Sequence, residues 1–117
     1  MRATTTGNYN IGIGYQAGLA NTTGSFNTVV GDDAFNDNTT GDFNISIGHA
    51  SLASNTTASS NVAVGVSALT GNTTGANNVA LGRDALTSNT TASSNTAVGY
   101  QAGYANTTGA LNTAVGA

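Results

Sequence analysis

Asn61-Val62-Ala63-Val64-Gly65 is followed, 17 residues on, by Asn78-Val79-Ala80-Leu81-Gly82, and these two stretches decide the fold. The same phase runs through the whole chain. Asn recurs as Asn10, Asn27, Asn44, Asn61, Asn78, Asn95 and Asn112, and Gly as Gly14, Gly31, Gly48, Gly65, Gly82, Gly99 and Gly116, without one insertion or deletion. Asn-Thr-Thr starts at Asn21, Asn38, Asn55, Asn72, Asn89 and Asn106, with Thr4-Thr5-Thr6 as a degenerate first copy. A fixed period of this length marks stacked repeats. Residues 1–117 therefore read as one repeat domain of nearly seven 17-residue units, incomplete at both ends.

The residue types choose strand over helix. Every unit carries Gly, Asn and Thr-Thr, which would interrupt a helix inside each copy. Asn61 to Gly65 alternates with a two-residue period, as does Asn44-Ile45-Ser46-Ile47-Gly48. One face of that strand carries Asn, a mostly small residue and Gly. The other carries Val, Ile or Thr and then an aliphatic residue, supplied in turn by Ile13, Val30, Ile47, Val64, Leu81, Val98 and Val115. After the Gly come a variable pair, a small residue such as Ala68, and then Gly or a large apolar residue such as Leu69. This reads as a second short strand or a bend whose small side chain packs inward. Asn-Thr-Thr supplies a corner, because Asn and Gly tolerate the left-handed backbone a corner needs.

The expected fold is all-β, a parallel β-solenoid of about seven coils without helix. Coils stacked about 4.8 Å apart form ladders of equivalent residues and a rod of roughly 33 Å. One insertion would break every ladder at once, which explains the strict spacing. The column from Asn10 to Asn112 is the expected hydrogen-bonding ladder. The column from Gly14 to Gly116 is expected to answer a backbone requirement, either positive φ or the close passage of another backbone.

Composition excludes several classes of function. Only 6% of residues are charged, the formal net charge is -3, and Pro and Cys are absent. Disordered chains are normally rich in Pro and charge, so this chain is expected to be ordered. Arg2 and Arg83 are the only basic residues besides His49, too few for a nucleic-acid or anionic-membrane footprint. No apolar run approaches the length of a membrane span, and the opening residues do not begin a secretion signal. Bulky apolar side chains are too sparse for a conventional enzyme core, and no unique constellation of reactive residues repeats. Neither an enzyme nor a cofactor is expected.

Asn61-Val62-Ala63-Val64-Gly65-Val66-Ser67-Ala68 and Asn95-Thr96-Ala97-Val98-Gly99-Tyr100-Gln101-Ala102-Gly103 resemble the head repeats of trimeric autotransporter adhesins, and similar repeats of phage and prophage tail fibres. The resemblance implies a left-handed parallel β-roll in which three chains associate around a continuous apolar seam. It also implies an adhesive or structural fibre module at the cell surface, outside the cell or on a virion, with a host-surface glycan or protein as a further partner. The 17-residue coil is longer than that family's usual head repeat, and heptad stalk, neck and anchor are missing. This makes the chain a segment, a fibre module or a minimal self-assembling unit. Inward positions filled mostly by Ala, Gly and Ser imply a thin rod that is marginal alone. The aliphatic column from Ile13 to Val115 is the expected seam of a homotrimer, with an end-to-end filament as runner-up.

His49 occupies the variable place after Gly48 and reads as a solvent-facing variant, without the partners a triad needs. Asp32, Asp33, Asp37 and Asp42 lie close in sequence, but their spacing matches no cation loop, so no metal is expected. Gly12-Ile13-Gly14 is a strand end rather than a dinucleotide fingerprint. The aromatic residues are expected to pack at coil corners or between chains rather than to stack on sugars. Asn-Thr-Thr and Asn44-Ile45-Ser46 fit the N-glycosylation pattern, but the turn is the preferred reading. The alternative function is ice binding by the regularly spaced Thr. Adjacent Thr residues on a strand point to opposite faces, which weakens it.

Overall fold

Each unit places a three-residue stretch between an Asn and a Gly, with Val, Ile, Thr or Leu at its two ends around a mostly small residue, enough for a short strand and no more. The computed structural model describes residues 6–117, so Thr4 and Thr5 of the degenerate triplet lie outside the described residues. Its strands are β1 (Ile11–Ile13), β2 (Thr28–Val30), β3 (Ile45–Ile47), β4 (Val62–Val64), β5 (Val79–Leu81), β6 (Thr96–Val98) and β7 (Thr113–Val115). They form one sheet in sequence order, every neighbouring pair is parallel, and no helix occurs among the described residues. Register follows the repeat, as in Val62↔Val79 and Val64↔Leu81. The result is a β-solenoid whose strands sit one above another. Its extents are 38 × 22 × 17 Å, close to the rod length that coil spacing implies.

The segment after each Gly is a run of turns, not a second strand. Ala68 N donates to Gly65 O (3.3 Å), Thr70 N to Ser67 O (3.4 Å) and Asn72 N to Leu69 O (3.1 Å). Positive φ at Ser67 (57°) and Leu69 (53°) drives this coiling. The same two places are left-handed in the other coils, for example Asp33 (54°) and Phe35 (53°). A third left-handed column runs through Phe26, Phe43, Ser60 and Asn77 just before the strand.

The left-handed turn also corrects the expected core. Ala17, Ala34, Ser51, Ala68, Ala85 and Ala102 are buried, as small inward residues should be. Phe35, Leu52, Leu69 and Leu86, immediately after such residues, are buried as well. Consecutive residues of an extended strand face opposite sides. The left-handed residue breaks that alternation and turns a large side chain inward beside its small neighbour. The core is thus a column of large apolar groups packed against the inner strand residues Val29, Ala63, Ala80 and Ala97.

Both possible reasons for the glycine column hold together. Gly14, Gly31, Gly48, Gly65, Gly82, Gly99 and Gly116 have φ between 104° and 140°. A Cβ on Gly65 would also lie 2.6 Å from the carbonyl carbon and oxygen of Gly82 in the next coil. From Gly14 to Gly99 neither the dihedral nor the space admits a side chain, while at Gly116 the dihedral alone disfavours one.

Gly65→Val is therefore expected to destabilise the chain by several kcal/mol, while Val66→Ala beside it changes stability little. Thermal melts compare the two, and equal losses would contradict the proposed coil contact. Ser67→Gly is expected to act in the opposite direction, stabilising by about 1 kcal/mol, because glycine removes the cost of a left-handed non-glycine residue. A chemical denaturation midpoint that moves downward would refute that.

Candidate functional site

Two asparagine ladders hold the coils together and fix what each face presents. In the first, the side-chain oxygen of each Asn accepts the backbone N–H of its copy in the next coil. Asn61 N donates to Asn44 Oδ1 at 3.0 Å and Asn78 N to Asn61 Oδ1 at 2.9 Å. The pattern runs from Asn10 to Asn112. The amide nitrogen of the same residue crosses the section, as in Asn61 Nδ2 to Gly75 O (2.9 Å) and Asn44 Nδ2 to Ala58 O (2.9 Å).

The second ladder is formed by the Asn of Asn-Thr-Thr, which the sequence marked only as a corner. Asn55 Nδ2 donates to Asn38 Oδ1 (3.0 Å), and Asn72 Nδ2 to Asn55 Oδ1 (3.2 Å). The same nitrogens donate to Ala58 O (3.0 Å) and Gly75 O (2.8 Å). Ala58 O and Gly75 O thus each accept from both ladders, which ties the corner to the strand start. None of these asparagines has positive φ, so the expected left-handed corner is not why Asn stands there; its unbroken recurrence was the signal of a side-chain requirement. These asparagines, from Asn21 to Asn89, are fully buried, and so is Asn44. A glycan on any of them would remove amide donors from a dry ladder. Glycosylation there is incompatible with this folded state.

The two threonines of each corner have different fates. Thr39, Thr56, Thr73 and Thr90 donate their hydroxyls to backbone carbonyls of the next coil, at 3.1 to 3.2 Å. Thr40, Thr57, Thr74 and Thr91 are exposed. The division arises at a bend, not from strand alternation as the sequence reading supposed. One hydroxyl column is consumed by the fold and one faces outward.

The outer face of the sheet carries the aliphatic column. Ile13, Ile47, Leu81, Val98 and Val115 are exposed, and Val30 and Val64 are half-buried. Beside them on the same face run Ile11, Thr28, Ile45, Val62, Val79, Thr96 and Thr113, so the two columns hold no charged residue. Tyr9, Phe26 and Phe43 extend this surface at one end. Their rings stack on one another at centroid distances of 5.0 Å. The stack gives Phe26 a ring neighbour on each side, and all three side chains remain exposed.

The variable edge lies just past the glycine column. Tyr15, Asp32, His49, Val66, Arg83 and Tyr100 succeed one another there, and all six are exposed. Arg83 Nε meets Asp84 Oδ2 at 3.3 Å, and the Arg83 guanidinium carbon lies 6.0 Å from the Tyr100 ring centroid. The four aspartates grouped by the sequence are separated. Asp42 accepts from Ser25 N at 2.7 Å, whereas Asp32 and Asp33 converge on His49. The chain matches no family model, no curated protein and no solved structure.

Asn55→Ala is expected to cost about 2 to 3 kcal/mol, because it breaks the ladder on both sides: Asn38 Oδ1 keeps only its bond from Gly41 N, and Asn72 Nδ2 loses its acceptor in the preceding coil. Asn55→Asp is expected to cost more at pH 7, where the new carboxylate faces the acceptors Asn38 Oδ1 and Ala58 O. Burial against acceptors raises that carboxyl's folded pKa above its unfolded value. Part of the loss should then be recovered as pH falls through the carboxylate range. Urea unfolding at pH 7 and pH 4 reads both effects.

Proposed function

We propose that the chain is a self-associating structural or adhesive fibre module working at an extracellular surface, a cell surface or a virion. The observation that carries this reading is the outer sheet face. Two uncharged columns, largely aliphatic and β-branched, run the length of the rod and leave Ile13 (61%), Ile47 (37%) and Val115 (78%) open to solvent. A continuous apolar strip of this kind on a thin rod favours burial against other copies of the same strip. Its regularity suits close packing, because parallel register places like residues side by side at each coil step. A homotrimer with the strip from Ile13 to Val115 as its seam is the first arrangement we propose, and an end-to-end filament the second. A host-surface glycan or protein would then be met by the remaining faces.

The exposed threonine column supports a second reading, ice binding. Thr40, Thr57, Thr74 and Thr91 repeat with the coils and leave their side chains outward. The first threonine of each pair donates into the fold, so a single hydroxyl column is presented where a flat two-column array would bind better. The fibre reading is preferred on that ground.

Ile47→Lys and Val64→Lys are expected to convert the multimer to monomer while leaving far-ultraviolet circular dichroism unchanged, since both side chains lie outside the core. Light scattering at several concentrations measures this, and a stable native monomer at high concentration would refute the fibre reading. Electron microscopy separates short trimeric rods from filaments. Thermal hysteresis at micromolar protein, abolished by Thr57→Ala and Thr74→Ala together, would establish ice binding instead.

A further inference from the structure

The solenoid brings together side chains that are one coil apart in sequence, and at one place this produces a metal-ligating group. Asp32 and His49 are neighbours in the variable column, and Asp33 occupies the left-handed position that follows Asp32. One ligand atom from each of the three lies within 4.8 Å of the others. Asp32 and His49 are exposed and Asp33 is half-buried, so ligand atoms remain accessible from solvent. Among the described residues no other three such side chains come so close.

The backbone beneath the group is fixed. Asp33 N donates to Tyr15 O and Ala50 N to Asp32 O, each at 3.0 Å, so the adjoining coils cannot slide relative to each other. Asp84 provides an internal comparison, because it occupies in its own coil the place that Asp33 holds here. Its carboxylate is met by Arg83. Asp33 instead faces a second carboxylate and an imidazole, with no ion pair to either carboxylate among the described residues. Two neighbouring anions without an internal cation favour an external one.

We propose that Asp32, Asp33 and His49 form a binding site for a divalent transition-metal ion of the zinc class. Two carboxylate oxygens and one imidazole nitrogen are a borderline donor set, suited to Zn²⁺ or Co²⁺ and poorly suited to Mg²⁺, which prefers oxygen ligands. Ligand atoms around a tetrahedral zinc lie about 3.4 Å apart, a contraction that rotation of exposed side chains supplies. Three protein ligands leave a coordination position open to water or to a group from a partner. The bound ion would join two successive coils at the edge of the rod, two residues past the apolar strip in each coil.

Calorimetric titration of the whole chain with ZnCl₂, CoCl₂ and MgCl₂ in separate runs tests the site. The expected result is one Zn²⁺ or Co²⁺ bound per chain, with Mg²⁺ producing no saturable heat. His49→Val and Asp33→Ser should each weaken Zn²⁺ binding by at least about tenfold. Both variants should melt at the native temperature in metal-free buffer, because Val66 and Ser67 already occupy the equivalent positions two turns of the repeat or fewer away. The absence of zinc binding, zinc affinity unchanged by His49→Val, or Mg²⁺ binding equal to that of Zn²⁺ would each overturn the proposal. In the His49 imidazole NMR signals, a shift on Zn²⁺ addition supports coordination, and no shift while zinc binds refutes it.

Discussion

The amide of asparagine is the interaction on which the rest of this structure depends. A coil of 17 residues is too small to close around an apolar core of ordinary thickness, so the fold places side-chain amides in its interior. Each amide has an acceptor and two donors, and the two ladders use both kinds of group along the rod axis and across the section. A buried polar group left unpaired is costly, and a fully paired network holds one geometry against alternatives. The ladder bonds therefore impose the phase. A coil one residue longer would offset its amides from both neighbours, which gives the unbroken 17-residue period a cause in hydrogen bonding as well as in strand register.

The second constraint is conformational. Besides the glycine column, each coil holds three residues in the left-handed region, and most of them are not glycine. Leu69 and Phe35 occupy that region because only there can a large side chain turn inward directly after a small inward residue. The cost at such places is of order 1 to 2 kcal/mol per residue. It is met by apolar burial at Leu69 and Phe35, but little side-chain burial offsets it at Ser60 or Asn77. The coil stack over-determines those backbones through bonds such as Ser60 N to Asp42 O (3.0 Å).

Much of this was legible in the residues, and the omissions have physical reasons. Period, strand position, parallel stacking and the inward place of Ala63 followed from alternation and spacing. The left-handed columns were hidden, because Leu and Phe give no local sign of positive φ. A trace existed at Gly18 and Gly103, where φ is 60° and 64° in the column that Leu69 fills elsewhere. The second ladder was hidden because Asn in a turn is an ordinary choice, and burial alone distinguishes a turn Asn from a ladder Asn. At the variable edge the sequence located His49 and the aspartates but grouped them by nearness along the chain. In a solenoid the relevant distance is taken modulo one coil. Asp32 belongs with His49, while Asp42 belongs with Ser25 and Ser59.

These constraints divide the surface into parts with different freedom. Ladder asparagines, the glycine column and the inward small residues cannot change without loss to both neighbouring coils. The outer strand columns tolerate exchange among Val, Ile, Leu and Thr, which preserves their shape and absence of charge. The edge after the glycine accepts Tyr, Asp, His, Val and Arg in successive coils because its side chains are exposed to solvent. Chemistry specific to this chain therefore has few places to reside. The proposed association surface lies where composition is held uncharged without any demand from the interior, and the proposed ion site lies where composition is free. Stability in such a rod is carried between nearest-neighbour coils. An ion or a partner bound at one coil boundary would accordingly stabilise the coils beside it most.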